Sequence, residues 1–200
     1  MVQVILASNS PRRKEILANL GVNFQVISPD VEEKTTQTAA NAVAEELAAQ
    51  KARAVRDQLR ANGESLENTL IIAADTVVVH GLKLLGKPKT PSAAKIMLQR
   101  LRNNTHFVVT GVALVYNQRV LCQSELTKIH FADISDEEIN RYVASGEPMD
   151  KAGSYGIQGK ASLWIDRIDG DYFNVVGFPV HRFYSMLKEL NLPFEELENQ

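Results

Sequence analysis

The chain begins with an apolar stretch, a polar turn and an amphipathic stretch: VQVILA (Val2–Ala7), SNSPRR (Ser8–Arg13) and KEILANL (Lys14–Leu20). The apolar stretch is typical of a buried strand, and the amphipathic stretch predicts a helix. Ser10 belongs to the residue types favoured at a helix N-cap, and Pro11 suits the first helical position. We therefore predict that the polar turn joins a strand directly to a helix.

Strand and helix patterns alternate along the rest of the chain, without a long linker, an internal repeat or a low-complexity tract. Further strands are predicted near residues 24–27, 70–79, 107–116, 120–131 and 163–165, and helices near 38–59, from Thr90, from Ser135 to about Gly146, and near 180–190. Ser135 and Glu138 have the spacing of a capping box. This alternation predicts an α/β fold, with a mixed sheet flanked by helices in a single domain over residues 1–200.

The composition is ordinary for a globular protein of this length. The 200 residues carry a formal net charge of -2, so the chain as a whole offers no cationic field for nucleic acid or an anionic membrane. The single cysteine, Cys122, excludes an intrachain disulfide and is interpreted as a packing residue in a reducing compartment. The sequence shows no signal peptide or membrane-spanning run, so we expect a cytoplasmic protein.

Arg12 and Arg13 lie in the first turn of the predicted helix, where the helix dipole is positive. Cations are disfavoured there by roughly 0.3 to 1 kcal/mol each. An anion would resolve this conflict, because backbone N–H groups, hydroxyl groups and two guanidinium groups could converge on a phosphate. The alternative interpretation is a basic turn exposed to solvent.

Two charged residues interrupt apolar patterns. Asp75 falls within the run from Leu70 to Val79, where a buried, unpaired charge would be costly. It could face a metal or another cation, or accept backbone hydrogen bonds at a bulge. Lys51 continues the spacing of Val43, Leu47 and Val55 on the long helix, so it could point into a cleft or extend its ammonium group to water.

Two glycine-containing segments could approach a ligand. Gly86–Pro88 (GKP) holds Lys87 in extended backbone, and Asp150–Gly159 (DKAGSYGIQG) has glycines three residues apart, with Gln158 able to donate and accept hydrogen bonds at the edge of a base. Each segment could equally be a structural loop. The four histidines have no zinc-ligand spacing, and the chain has no nucleophile elbow of a serine hydrolase. Cationic groups, carboxylates and a glycine-rich loop together favour phosphate chemistry assisted by a divalent metal.

The motifs LASNSPRR (Leu6–Arg13), ADT (Ala74–Thr76), GKP and DKAGSYGIQG occur in an order that resembles the Maf family of nucleoside triphosphate pyrophosphatases. The resemblance implies a fold similar to that of the inosine triphosphate pyrophosphatases, with two lobes around a cleft. It implies hydrolysis of a nucleoside triphosphate to the monophosphate and pyrophosphate, a house-cleaning activity, and a possible homodimer. The alternative is a nucleotide-binding regulator of cell division and septum formation without significant turnover.

The resemblance also assigns site residues. Asp75 matches the family's proposed proton acceptor, and the substrate-binding positions correspond to Ser8, Arg13, Glu33, Lys51 and Lys87. Arg12, Thr76 and Gln158 resemble the selectivity set of the dTTP and UTP pyrophosphatases. A divalent cation, Mg²⁺ or Mn²⁺, is expected on Glu33 and Asp75. Whether Asp75 is a general base or chiefly a metal ligand is left open.

Overall fold

The computed structural model describes residues 2–198. The strands are β1 (Gln3–Leu6), β2 (Phe24–Val26), β3 (Thr69–His80), β4 (Lys83–Leu85), β5 (Thr105–Tyr116), β6 (Arg119–Phe131) and β7 (Ile165–Asp169). The α-helices are α1 (Pro11–Asn19), α2 (Ala40–Ala61), α3 (Pro91–Leu101), α4 (Asp136–Ala144), α5 (Tyr172–Val176) and α6 (Val180–Glu189). Short 3-10 helices cover Glu147–Asp150, Ala152–Ser154, Lys160–Trp164 and Phe194–Leu197.

The strands form one mixed sheet, which has seven strands within residues 2–198. Its order is β2-β1-β3-β5-β6-β7, with β4 paired to β3. β1 is parallel to β2 and β3, and Leu6 pairs with Ile72. β4 is antiparallel to β3, and β7 is antiparallel to β6. The predicted mixed α/β architecture with flanking helices is therefore confirmed.

The chain divides into two compact units. The first comprises residues 2–75, 110–125 and 177–198, and the second comprises residues 76–109 and 126–176. Strands β3, β5 and β6 each contribute residues to both units. The single domain over residues 1–200 stays a prediction.

In the first unit, α2 lies against the sheet through a face of small side chains. Its buried alanines pack on Ile5 of β1 and on Ile71 and Ala73 of β3, which share one face because alternate residues of a strand point the same way. Gly111 of β5 lets the backbone of the same helix approach the strand closely, because it has no side chain. A methyl group there would lie 2.6 Å from the backbone nitrogen of Glu45. α2 can therefore approach the strands more closely than a helix with large side chains could.

In the second unit, aromatic side chains dominate the core. Phe131 is fully buried and makes edge contacts with Tyr155, at 4.7 Å between ring centroids, and with Trp164, at 6.3 Å. Tyr142 contacts Trp164 at 4.9 Å. Trp164 therefore belongs to the core of this unit.

Several predicted boundaries and caps are confirmed. Thr90 accepts a hydrogen bond from Ala93, and Ser135 and Glu138 form a complete capping box. Gly146 follows the end of α4 with a φ of 76°, a conformation that favours glycine.

Two predictions are wrong in detail. Ser10 occupies the N-cap of α1, but its hydroxyl accepts no hydrogen bond from the first turn within the described chain; the hydroxyl of Ser8 instead accepts from the Ser10 nitrogen. The strand expected at residues 163–165 is Ile165–Asp169, because Trp164 ends a 3-10 helix before the chain extends beside β6.

Candidate functional site

Lys51 and two carboxylates form a charged cluster in the first unit. The Lys51 Nζ atom lies 2.6 Å from Asp75 Oδ1 and 3.0 Å from Glu33 Oε1. The side chains of Lys51 and Asp75 are only 12% and 13% exposed, whereas that of Glu33 is 47% exposed. Asp75 therefore faces a cation, and the ammonium group of Lys51 ends on two carboxylates.

The positions of these residues follow from the packing of α2. Asp75 continues the face of β3 that carries Ile71 and Ala73, and α2 covers that face. Lys51 lies one residue before the buried Ala52 and three after the buried Ala48, so the helical repeat places it at the border of the packed face. Glu33 comes from the segment before α2, and its neighbour Glu32 instead pairs with the exposed Lys34, at 2.8 Å.

The β1–α1 turn forms a second group of polar side chains in the same unit. Arg13 donates from Nη1 to Ser8 Oγ, at 3.1 Å, and from Nε to the Gly177 carbonyl, at 2.9 Å. The Ser8 hydroxyl also accepts from the Ser10 nitrogen, at 3.3 Å. Both lone pairs of this hydroxyl are thus engaged, and within residues 2–198 nothing accepts its proton. Ser8 can donate that proton to a ligand oxygen.

Electrostatics couple the turn to the charged cluster. Burial lowers the pKa of the Arg13 guanidinium below its ordinary value, and the negative charge of Asp75 opposes that shift. The Arg12 charge lowers the Arg13 pKa further, whereas Glu33 raises it. The charges of both carboxylates in the cluster therefore act on Arg13. A phosphate bound among these residues would lie near the cationic groups of the turn and of α2.

Asp75 and Glu33 are the residues of this unit that could hold a divalent cation. Their carboxylates already converge on one cation, the Lys51 ammonium group, within 3.0 Å. This donor set fits Mg²⁺, which proteins bind through one or two carboxylates together with phosphate oxygens of the substrate. Among residues 2–198 there is no group of three or more His, Cys, Asp or Glu side chains arranged to hold a metal.

The remaining predicted residues, except Arg12, belong to the second unit. Thr76 follows Asp75 in β3 and points to the opposite face of the strand. The Gly153 nitrogen donates to the Gly86 carbonyl, at 3.2 Å, so the structure brings the turn of Lys87 beside the Asp150–Gly159 segment that contains Gln158. Lys87 and Gln158 are both exposed. Their roles, and that of Arg12 on α1, stay predictions.

Three residues that shape these groups were not predicted from the sequence. Gly111 admits α2, Gly177 orients Arg13 through its carbonyl, and Glu147 packs against Gly159. A glycine inside a predicted strand often marks a close backbone approach, so Gly111 had a usable signal. The contacts of Gly177 and Glu147 depend on residues far away in the sequence or on a loop conformation.

Cys122 fits the packing role predicted for it. Its thiol donates to the Glu45 carbonyl, at 3.1 Å, and packs against the core of the first unit. Burial and the nearby Glu45 raise the pKa of the thiol to about 12.

None of the helices within residues 2–198 combines the length and apolar character needed to cross a membrane.

Comparisons with known proteins agree with these motifs. The family model described as "Maf-like protein" matches residues 3–190. A dTTP/UTP pyrophosphatase of Alkaliphilus oremlandii is 48% identical, covering 94% of this chain and 96% of the relative. Proteins with the same name from a Geobacillus species and from Bacillus cereus are 46% and 44% identical, covering 95% and 96% of this chain and 99% and 97% of the relatives.

A more distant likeness is found among solved structures. The Ham1 protein of Staphylococcus aureus aligns with 66% of this chain and 72% of its own, at 18% identity and a TM-score of 0.44. A score at this level does not establish a common fold. The family model, by contrast, spans nearly the whole sequence, and the chain belongs to the Maf family.

Proposed function

We propose that this protein hydrolyses nucleoside triphosphates, dTTP and UTP among them, to the monophosphate and pyrophosphate. The observation that carries the proposal is the Asp75 carboxylate, 13% exposed and held 2.6 Å from Lys51 beside Glu33. Relatives 44–48% identical over nearly the full length bear the name dTTP/UTP pyrophosphatase. A largely buried carboxylate paired with a cation suits a reaction in which water attacks a phosphate anhydride.

Phosphate binding falls to the β1–α1 turn and to the lysines. Arg13 is fixed by two hydrogen bonds, and Ser8 has a proton to donate, so both groups are oriented before a ligand arrives. The ammonium group of Lys51 is the third group that we assign to phosphate binding, and Lys87 is the fourth. Such preorganised donors lower the barrier to phosphoryl chemistry because they need little rearrangement as charge develops.

In the proposed reaction, a water oxygen bonds to the α-phosphorus as the bond from that phosphorus to the bridging oxygen breaks. Pyrophosphate leaves with the electron pair of the broken bond. Asp75 accepts the proton from water or fixes the position of the water, and Lys51 stabilises the charge on the phosphate oxygens. Asp75 and Glu33 would hold the divalent cation, Mg²⁺ or Mn²⁺, which supplies charge neutralisation on the phosphates when it is bound.

Base selection is assigned to Arg12, Thr76 and Gln158. The amide of Gln158 both donates and accepts hydrogen bonds, as the edge of uracil or thymine requires. A carboxylate at this position would offer acceptors only. Gln158→Glu should therefore change the ranking of dTTP, UTP and 7-methyl-GTP by kcat/KM, and an unchanged ranking would exclude this role.

The decisive experiment measures pyrophosphate release, with identification of the products, with and without Mg²⁺. Wild type should convert dTTP and UTP to monophosphates, whereas Asp75→Asn should lose roughly a hundredfold or more of that turnover. Asp57→Asn is the matched control, because Asp57 is an exposed aspartate that pairs with its neighbour Arg56. Near-normal turnover by folded Asp75→Asn would contradict the proposal, and nucleotide binding without turnover by wild type would favour a regulatory protein.

Location and assembly complete the proposal. The single cysteine suits a reducing compartment, and we propose a cytoplasmic protein that acts on free nucleotides rather than on nucleic acid. A homodimer stays a prediction. Sedimentation equilibrium of the purified protein would test it.

A further inference from the structure

The segment Asp150–Gly159, here called the glycine loop, is held from one side by the 3-10 helix that precedes it. Lys151 donates from Nζ to the Glu147 carbonyl, at 2.6 Å, and to Asp150 Oδ1, at 2.7 Å. The stem of the same lysine lies against Gly156, where a methyl group would be 2.8 Å from Lys151 Cε. The first half of the loop is thereby tied to the backbone of Glu147.

The side chain of Glu147 contacts the second half of the loop. Gly159 lies against the carboxylate so closely that a methyl group there would be 2.7 Å from Glu147 Cδ and would overlap an oxygen. Gly159 also donates its N–H to the Gly156 carbonyl, at 3.1 Å, in a tight turn that contains Gln158. Glu147 therefore packs against one end of the turn that presents Gln158.

Tyr142 of α4 completes the support at the other end of that turn. Its hydroxyl donates to Glu147 Oε1, at 3.0 Å, and accepts from the Gly156 nitrogen, at 3.3 Å. Burial, together with the negative charge of Glu147, raises the pKa of Tyr142, so the phenol keeps the proton that it donates. The Tyr142 ring is itself fixed by contact with Trp164. The carboxylate is thus oriented by a rigid core residue.

We propose that Glu147 is a positioning residue for base selection, which fixes the turn Gly156–Gly159 and through it the amide of Gln158. The inference rests on the proposed function, because it assigns a cause to the selectivity of the same site. Glu147 acts from behind the loop, through Gly159 and Tyr142. Its effect falls on the choice among bases.

The test compares Glu147→Ala and Glu147→Gln with wild type. Kinetics of UTP and CTP hydrolysis give the ratio of kcat/KM for two bases on the same sugar, and hydrogen exchange gives the protection of the Gly156 and Gly159 amides. Glu147→Ala should lower the ratio by roughly tenfold or more, since a displacement of about 1 Å in a positioned group has effects of this size. Glu147→Gln keeps an oxygen for the Tyr142 hydroxyl and the same bulk beside Gly159, so it should retain most of the ratio.

A second pair of variants tests the contact itself. Gly159→Ala should reduce the ratio in the wild-type background, where the new methyl group meets the carboxylate. It should have a smaller effect in the Glu147→Ala background, where that space is open. Equal effects in both backgrounds would overturn the proposed contact.

The outcomes separate this inference from the proposed function. If wild type hydrolyses UTP in preference to CTP and Glu147→Ala keeps the same ratio with unchanged amide protection, the inference is wrong and the function stands. If wild type hydrolyses neither nucleotide, the proposed function fails. The binding ratio of UMP to CMP then replaces the kinetic ratio, and a binding ratio unchanged by Glu147→Ala, or equal binding of the two by wild type, overturns the inference.

Discussion

Gly111→Ala should destabilise the protein because no space exists for one additional carbon atom. The new methyl group would overlap the Ala44 carbonyl group and lie 2.6 Å from the Glu45 nitrogen, whereas ordinary contacts begin near 3.4 Å, so α2 would have to move by at least about 0.8 Å at that point. The opposing atoms belong to the backbone of a packed helix and cannot rotate away. We expect a loss of about 3 kcal/mol in the free energy of unfolding, the upper part of the range for overpacked cores.

Thermal unfolding measured by circular dichroism tests this expectation. For a chain of this length, about 3 kcal/mol corresponds to a decrease in Tm of roughly 6 to 12 °C. Gly86→Ala is the control, because Gly86 has no positive φ and a methyl group there would meet no atom within 4 Å among the described residues. Ala44→Gly should not rescue Gly111→Ala, since the opposing atoms are those of the helix backbone. A decrease in Tm below about 2 °C for Gly111→Ala, or rescue by Ala44→Gly, would refute the proposed packing of α2.

Three further predictions follow from individual contacts. Lys51→Met should lower kcat/KM for dTTP by roughly a hundredfold or more, because the Asp75 and Glu33 carboxylates lose their shared cation. Lys34→Met is the control: it removes only an exposed ion pair with Glu32 and should leave kcat/KM unchanged. Burial lowers the pKa of His106 to about 3, so below about pH 6.5 the imidazole is protonated in the unfolded chain but not in the folded chain. Wild type should therefore lose about 2 kcal/mol of stability between pH 7 and pH 5 relative to His106→Phe, as measured by urea unfolding at both pH values. An equal pH dependence in the two proteins would exclude a buried neutral imidazole. With its thiol pKa raised to about 12, the partly buried Cys122 should react slowly with a thiol reagent at pH 8 in the native state and rapidly in urea; rapid native labelling would contradict the raised pKa.

Two members of the charged cluster, Lys51 and Asp75, could be predicted from sequence because each violates the surrounding pattern, whereas Glu33 was indicated only by the family resemblance. Lys51 lies at the helical spacing of apolar residues, and Asp75 interrupts a buried strand. Each violation needs a partner of opposite charge, and the structure shows that the two residues are partners of each other. The strand, turn and helix at the start were predictable for a similar local reason, since apolar periodicity and the preference of Pro11 for the first helical turn act within a few residues.

The features that could not be predicted are of two kinds. Some are contacts between residues that lie far apart in the sequence, and others depend on which of two similar side chains makes a given hydrogen bond. Ser8 and Ser10 are both hydroxyl residues near the start of α1, and only the structure shows that the Ser8 hydroxyl is the one that accepts hydrogen bonds, from Arg13 and from the Ser10 nitrogen. Glu147 follows no hydrophobic pattern, and its role requires the fold of a loop that ends twelve residues later, at Gly159. The secondary-structure propensities of neighbouring residues contain no information about such contacts. The hydrogen bonds of Ser8 and the packing of Glu147 could therefore be found only in the structure.

The pairing of Lys51 with both carboxylates has a consequence for the order in which ligands bind. The ammonium group serves as a resident counter-ion, so the negative charge of Asp75 and Glu33 is compensated before any ligand arrives. A divalent cation that arrives alone must compete with that ammonium group, and we expect its affinity to be weak. A triphosphate changes the competition, because its oxygens attract Lys51 and release the carboxylates. Nucleotide and metal should therefore bind cooperatively, each making room for the other.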